Sequence, residues 1–166
     1  MIKQLKVADY VTLLNLVSGL FAIYFAFNNM LLLSALSILI GAVFDKLDGI
    51  VARLLKQESD LGAELDSFAD IITFGVAPAA LVLNNYNILW LSIISIILPI
   101  CGAMRLARFN ITRKSTPGYF IGVPITLNGI IFPILYLLNV NYIVSALAVI
   151  TMAVLMISTL KVKKVF

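Results

Sequence analysis

The chain has 166 residues, of which 62% are apolar and 12% are charged, and its formal net charge is +4. Soluble domains average roughly 45–50% apolar and about 25% charged residues. This composition excludes an ordinary water-soluble domain and predicts a membrane protein. The length predicts a single domain over residues 1–166. The chain has no histidine and one cysteine, Cys101, which excludes Ser-His-Asp catalysis, HExxH zinc sites and intrachain disulfides.

Six apolar stretches are long enough to be transmembrane helices. In chain order they cover residues 11–28, 31–55, 64–83, 88–109, 119–138 and 142–160. Short polar breaks separate them, at residues 28–29, 57–60, 84–87, 112–118 and 139–141. The fold class is therefore predicted to be all-α, an integral membrane bundle of six transmembrane helices.

The N-terminal residues allow two further interpretations. A cleaved signal peptide is the alternative for residues 1–28, but the apolar run is long for such a segment and no small-x-small cleavage site follows it. Residues 1–9 are basic and weakly amphipathic, and a short interfacial helix is an interpretation for them.

The basic residues predict how the bundle is oriented. The 12 basic residues form four groups. One group precedes the first apolar stretch, and another lies in the second half of the second stretch or just after it. The third group lies at the end of the fourth stretch or after it, and the last follows the sixth stretch. With six spans these positions share one side, which the positive-inside rule makes cytoplasmic. Both termini are therefore predicted to be cytoplasmic, and the positive charge indicates contact with a membrane surface rather than with nucleic acid.

Four acidic residues interrupt the apolar pattern. Asp45 and Asp48 lie in the second stretch, and Asp66 and Asp70 lie near the start of the third. A carboxylate in a membrane span is costly and by default marks a functional site. Each pair shares one helix face because its members are three or four residues apart. Both pairs are expected about 10–15 Å from the connecting turn.

Facing carboxylates repel one another unless cations lie between them. Oxygen ligands favour Mg²⁺, Mn²⁺ or Ca²⁺ over zinc or copper. Two ions would suit four carboxylates and a phosphate substrate. The alternative is that each aspartate is a helix cap or a partner of Arg53.

Small residues accompany the carboxylates. Gly49 and Ala52 follow Asp48 on the same helix, and Gly62 lies between the two acidic pairs. Glycine costs about 1 kcal/mol in a helix interior relative to alanine, so close approach of a ligand or of a helix is expected there. The Arg53 guanidinium can hold a diphosphate with two parallel hydrogen bonds. The alternatives are helix packing for Gly49 and a positive-inside anchor for Arg53.

These residues form one pattern, Asp45-x2-Asp48-Gly49-x2-Ala52-Arg53-x8-Gly62-x3-Asp66-x3-Asp70. The pattern resembles the signature of the CDP-alcohol phosphatidyltransferase family at every fixed position. The resemblance implies phosphoryl transfer from a CDP-linked lipid to an alcohol, a divalent-metal cofactor (Mg²⁺ or Mn²⁺) and a homodimer.

The resemblance also implies roles for individual residues. Asp45, Asp48 and Asp66 would ligate the ions that clamp the diphosphate. Asp70 would be a further ligand and the general base for the incoming hydroxyl. The CMP half would be held by Gly49, Ala52, Arg53 and Gly62. Thr12 and Asn15 resemble the family's polar start to the first helix, where nucleotide contact and polar helix packing are both open.

Three further segments resemble the phosphatidylserine synthase branch of that family. They are residues 64–78, where ELDSFAD is followed by FGVAP, residues 105–110 (RLARFN) and residues 119–124 (YFIGVP). Val123 stands where that branch carries Leu. The glycerophosphate-using branch tends to carry Pro where Ser67 stands. The resemblance therefore implies L-serine as acceptor for a phosphatidyl or archaetidyl group.

Serine carries a carboxylate that needs a cation. Arg105 and Arg108 are three residues apart on one predicted helix face, so our hypothesis is that one of them binds it. Positive-inside anchoring is the alternative. Three other functions stay open: glycerol 3-phosphate or inositol phosphate as acceptor, a cation transporter, and a non-catalytic scaffold. Transport would favour carboxylates at the midplane with gates on both sides, whereas these lie towards one face.

Overall fold

The structure, a computed structural model, describes residues 5–57, 59–112 and 119–163. Eight α-helices contain most of these residues: α1 Val7–Phe27, α2 Leu31–Leu54, α3 Asp60–Asp70, α4 Ala77–Tyr86, α5 Leu89–Ser95, α6 Ile97–Thr112, α7 Asn128–Leu137 and α8 Tyr142–Ile157. The predicted all-α class is confirmed, with one small addition. Strands β1 (Tyr119–Ile121) and β2 (Lys161–Lys163) pair in an antiparallel ribbon.

Several of these helices join into longer rods. A π-helical segment, Ile71–Val76, connects α3 to α4, so that Asp60–Tyr86 forms one rod of 27 residues. Likewise α5 and α6 form a rod over Leu89–Ile111, 23 residues long. These two rods and α1 are long and apolar enough to cross a membrane, whereas α7 and α8 are shorter apolar helices. The described part of the chain is therefore a membrane-type helical bundle.

The predicted and observed boundaries differ most in the fifth apolar stretch. The sequence predicts a helix over 119–138, whereas the structure has β1 and a 3-10 turn there and begins α7 at Asn128. Gly122 has a φ of 80°, and Pro124 has no N–H to donate to a helix. The prediction of a helix over 119–127 is therefore wrong, because the backbone turns at these two residues.

Two other predicted boundaries shift at the helix starts. Helix α1 begins at Val7, so residues 7–9 belong to this long helix, and residues 1–4 of the predicted interfacial helix lie outside the described residues. Helix α3 begins at Asp60 because Ser59 caps it, its Oγ accepting from the Gly62 N–H at 3.0 Å. The predicted break at 112–118 lies, apart from Thr112, outside the described residues.

The turns at one end of the bundle use asparagine. Asn29, Asn87 and Asn139 have φ values of 58°, 49° and 49°, a left-handed conformation that asparagine tolerates better than most residues. They coincide with three of the predicted polar breaks. The opposite end brings together the start of α1 and the turn from α2 to α3, where the Val7 N–H donates to Gln57 Oε1 at 3.1 Å.

Helix α1 has small side chains facing inwards and large side chains facing outwards. Leu14, Val17 and Phe21 are 47%, 43% and 53% exposed. The buried residues are Ala8, Asp9, Thr12, Asn15, Ser18, Gly19, Ala22 and Ala26. Lipid tails are as apolar as leucine, so close packing of small residues, and not burial of large ones, drives helix association in a bilayer. This arrangement is typical of a helix whose outer face meets lipid.

An apolar core packs against the π segment, Ile71–Val76. Phe74, Ile125, Phe132 and Met156 are among its fully or almost fully buried members. A π turn leaves backbone groups that need partners, and Asn128 Nδ2 donates to the Phe74 carbonyl at 3.0 Å. The rod that carries Asp66 and Asp70 is thus anchored between two packed surfaces.

Candidate active site

An open cleft lies where α1 begins and α2 turns into α3. It contains about 590 Å³ of empty space, part of which is open solvent at its mouth. Twelve residues line it: Ala8, Asp9, Thr12, Asp48, Gly49, Ala52, Arg53, Gln57, Ser59, Gly62, Ala63 and Asp66. Seven of these are residues that the sequence predicts for the site, so the fold brings separate parts of the predicted pattern to one cavity.

Three of the four predicted carboxylates converge beside this cleft. Asp45, Asp48 and Asp66 each present an oxygen within 4.8 Å of the other two. Helix α2 supplies the first two and α3 supplies the third. Thr12 of α1 donates from Oγ1 to Asp48 Oδ2 at 2.8 Å, which orients that carboxylate. A cluster of hard oxygen ligands suits Mg²⁺ or Mn²⁺, so the residues present fit a divalent ion.

Asp70 lies behind this cluster and does not line the cleft. Its side chain is 5% exposed, and its carboxyl is within hydrogen-bonding reach of Asp45. Oδ1 of Asp70 is buried and has no hydrogen-bond partner within the described ranges. Arg105, also 5% exposed, attracts Asp45, Asp66 and Asp70 electrostatically. Arg105 and the cleft residue Arg53 supply two positive charges against four carboxylates, and bound cations would offset this excess of acidic groups.

The two predicted glycines differ in their surroundings. A Cβ atom on Gly49 would meet only Arg53 Nη1, at 3.7 Å, so the space beside Gly49 is open. A Cβ atom on Gly62 would lie 2.7 Å from Asp9 Oδ1 and 3.1 Å from Ser59 Oγ. Gly49 therefore leaves room for a ligand, whereas Gly62 mainly allows the start of α3 to approach α1.

The structure does not bring Asn15 to the cleft. Its side chain is 0% exposed and lies between α1 and α2, one helical turn beyond Thr12. Nucleotide contact by Asn15 stays a prediction, and this buried position favours the alternative, polar helix packing. Thr12, by contrast, both lines the cleft and holds Asp48.

Arg105 and Arg108 occupy different surroundings despite their spacing. Arg105 is close enough to the acidic residues to attract them electrostatically, and its Cζ lies 5.4 Å from the centre of the Phe109 ring. Arg108 donates from Nη2 to the carbonyls of Met156 and Ser158, at 2.9 and 3.1 Å, and from Nη1 to the Ile157 carbonyl at 3.2 Å. Arg108 thus caps the C-terminal end of α8, and the serine-binding hypothesis is better placed on Arg105.

Two of the segments that carry the branch resemblance contact each other. Asn110, in the RLARFN segment of α6, donates from Nδ2 to Ser67 Oγ of α3 at 3.1 Å. The same Nδ2 lies 3.5 Å from Glu64 Oε1. The 64–78 segment and the C-terminal part of α6 are therefore in direct contact.

Several cleft residues are missed by the sequence prediction: Ala8, Asp9, Gln57, Ser59 and Ala63. Asp9 is 2% exposed, and its Oδ2 accepts from the Lys6 N–H at 2.8 Å. An acidic residue at the start of an apolar helix is a detectable signal for Asp9. Gln57 and Ser59 lie in a polar turn, and only the folded chain shows that this turn borders the cleft.

Comparison with known proteins places this site in a family. The sequence profile of the CDP-alcohol phosphatidyltransferases matches residues 5–159, which is nearly the whole chain. The match includes the entire carboxylate pattern and both arginines of α6. The chain belongs to the CDP-alcohol phosphatidyltransferase family.

Similar curated proteins share one name, CDP-diacylglycerol–serine O-phosphatidyltransferase. The protein from Methanocaldococcus jannaschii is 41% identical over 98% of this chain and 76% of its own length. The one from Bacillus subtilis is 38% identical over 91% of this chain and 86% of its own length. The one from Saccharomyces cerevisiae is 39% identical over 75% of this chain and 51% of its own length.

Proposed function

We propose that this chain transfers the phosphatidyl or archaetidyl group of a CDP-linked lipid to the hydroxyl of L-serine and releases CMP. The observation that carries the proposal is the convergence of three signature carboxylates, Asp45, Asp48 and Asp66, beside a cleft lined by Gly49, Ala52 and Arg53. The names of the three relatives support serine as the acceptor.

The carboxylates would hold the metal cofactor. Asp45, Asp48 and Asp66 would ligate Mg²⁺ or Mn²⁺, with Asp70 as a further ligand, and four carboxylates suit two ions. When bound, the metal would offset the charge that develops on the diphosphate as CMP departs. Thr12 keeps the Asp48 carboxylate in place through its 2.8 Å hydrogen bond.

The cleft would hold the CMP half of the donor. Gly49 leaves open space on the α2 wall, and Ala52 continues that wall with a small side chain. Arg53 can donate two parallel hydrogen bonds to a phosphate. Gly62 and Thr12 lie on the opposite walls, from α3 and α1.

The acceptor is proposed to bind beside Asp70 and Arg105. Arg105 would pair with the serine carboxylate, which places the serine hydroxyl near Asp70. Asp70 would accept the hydroxyl proton while the oxygen attacks the lipid-side phosphorus. The bond from that phosphorus to the CMP oxygen then breaks, and CMP leaves with both bonding electrons. The buried Oδ1 of Asp70, which has no hydrogen-bond partner within the described ranges, is a suitable proton acceptor.

Six membrane passes would suit this reaction: α1, α2, the α3–α4 rod, the α5–α6 rod, α7 and α8. The basic residues support an orientation with the cleft facing the cytoplasm. The lipid donor could then keep its tails in the bilayer while its CDP head enters the cleft. Serine and CMP would exchange with the cytosol. A homodimer, implied by the family resemblance, stays a prediction that crosslinking in membranes would test.

The experiment is a CMP-release assay on the purified chain in detergent. CDP-lipid is the donor, Mg²⁺ or Mn²⁺ is present or chelated, and serine, glycerol 3-phosphate and inositol phosphate are offered separately. Asp66→Asn is the site variant. Asp60→Asn is the matched control, because Asp60 is exposed on the same helix and does not line the cleft.

We expect CMP release only with serine and metal, its loss in Asp66→Asn and its retention in Asp60→Asn. Release with another acceptor would keep the family chemistry and overturn serine as substrate. No release with any acceptor would overturn the proposed function, and a cation-flux assay in vesicles would then test the transporter alternative. Equal activity in the two aspartate variants would remove Asp66 from the site.

A further inference from the structure

The helices beneath the carboxylate cluster meet at one side chain, Thr73. It lies in the π segment, three residues after Asp70, and is 0% exposed. Its Oγ1 donates to the backbone carbonyl of Asn15 in α1 at 3.0 Å. Thr73 therefore ties the α3–α4 rod to α1 directly below the site.

Two glycines make room for this side chain. A Cβ atom on Gly41 of α2 would lie 2.5 Å from Thr73 Cγ2 and 3.1 Å from Asn15 Oδ1. A Cβ atom on Gly19 of α1 would collide with Thr73 Oγ1 and lie 2.9 Å from Thr73 Cα. Carbon atoms normally pack at roughly 3.5–4.0 Å, so neither position accepts a larger residue without displacement. We call Asn15, Gly19, Gly41 and Thr73 the spacer layer.

Three members of the spacer layer lie one helical turn deeper than a residue of the site. At about 1.5 Å per residue, a separation of three or four residues is roughly 5 Å. Because α2 runs towards the site and the other two helices run away from it, all three steps point into the bundle. The pairs are Asn15 below Thr12, Gly41 below Asp45, and Thr73 below Asp70.

The π segment gives this contact its importance. It begins at Ile71, directly after Asp70. A π turn adds one residue to the helix, which rotates the following face by roughly 100°. The position of α3 relative to α2 therefore depends on how the π segment is held. Among the described contacts, the spacer layer holds it against both α1 and α2.

We propose that Thr73 is a positioning residue that sets the separation and rotation of the helices carrying the four carboxylates. The hydroxyl fixes the π segment to α1, and the methyl fixes its distance from α2 at Gly41. This inference rests on the proposed function, because that function needs carboxylates from α2 and α3 to act on one ligand. It goes further by assigning their geometry to a residue outside the signature pattern.

The test uses Thr73→Val and Thr73→Ser in the full chain purified in detergent. Valine keeps the shape and removes the donor, whereas serine keeps the donor and removes the methyl. Ser145→Ala is the matched control. Ser145 is also a buried hydroxyl, 2% exposed, and its Oγ lies 2.9 Å from Tyr86 Oη at the opposite end of the bundle.

Three quantities are measured for each variant: kcat at saturating metal, the Mn²⁺ dissociation constant by electron paramagnetic resonance, and Tm. We expect Thr73→Val to lower kcat between about 10-fold and 100-fold, because small misplacement of reacting groups has effects of that size. We expect the Mn²⁺ dissociation constant to rise about 10-fold, as for other groups that orient metal ligands. Thr73→Ser should lie nearer to wild type, and Ser145→Ala should change only Tm.

The proposal is overturned if Thr73→Val and Ser145→Ala have the same kcat and the same Mn²⁺ affinity. If Thr73→Val does not fold, Gly41→Ala takes its place, because it crowds the same contact from α2. Wild-type CMP release with serine tests the proposed function separately. If the wild type releases no CMP, the Mn²⁺ titrations still decide the inference.

Discussion

Two glycines of α2 have opposite structural roles. In the cleft wall, a Cβ atom on Gly49 would meet only Arg53 Nη1, at 3.7 Å. In the spacer layer, two turns deeper, a Cβ atom on Gly41 would lie 2.5 Å from Thr73 Cγ2. One glycine keeps space free and the other allows close helix contact. The helix thus combines an open binding surface with a tightly packed support.

This contrast distinguishes residues of the cleft wall, which would contact the substrate, from residues of the spacer layer, which hold the helices of the site in position. Replacing a residue of the cleft wall should change substrate affinity or turnover and have little effect on the stability of the protein. Replacing a residue of the spacer layer should change both the stability of the protein and its turnover. Asp70 lies at the junction of the two regions, three residues before Thr73.

The largest effect is expected at Asp70. We expect Asp70→Asn to lower kcat by about 10²–10⁴-fold, the range for loss of a general base, while CDP-lipid binding is retained in part. Single-turnover kinetics and donor binding on the same preparation would separate the two quantities. Activity near that of the wild type would contradict the base assignment.

A smaller effect is expected from the two arginines of α6, which the structure assigns to different roles. Arg105→Ala should raise the serine KM by about 10–100-fold, because a charge-assisted hydrogen bond to serine would be lost. Arg108→Ala should lower Tm and leave the serine KM near the wild-type value, since Arg108 caps α8. An unchanged serine KM in both variants would remove the serine-binding hypothesis from this helix.

The smallest effects test the glycine contrast itself. Gly49→Ala should stabilise the protein by up to about 1 kcal/mol through helix propensity and raise the KM for CDP-lipid about 10-fold through lost space. Gly41→Ala should destabilise it by about 1–3 kcal/mol, as overpacking does. Thermal unfolding in detergent and steady-state kinetics measure both quantities. Stability changes of the same sign would contradict the contrast.

Much of the fold follows from the sequence because lipid imposes simple rules. Apolar stretches of membrane length predicted the helices, and polar asparagine breaks predicted the turns at residues 28–29, 84–87 and 139–141. The helix predicted over 119–127 is wrong because apolar composition does not reveal the backbone turn at Gly122 and Pro124. The start of α3 at Asp60 depends on a capping hydrogen bond from Gly62 to Ser59.

By itself the sequence determined the chemistry: the carboxylate pattern, the small residues beside it, the membrane setting and the family. Spacing along a helix shows which residues share a face. A carboxylate in a membrane span is energetically costly and therefore indicates a functional site. Only the tertiary structure decided which residues meet across helices. In the structure, Asn15 is buried away from the cleft, whereas Asp9 lines it. Arg105 lies near the carboxylates, Arg108 binds the end of α8, and Thr73 contacts α1 one helical turn below Asp70. Contacts between helices depend on rotation and separation, which residue spacing within one helix does not specify.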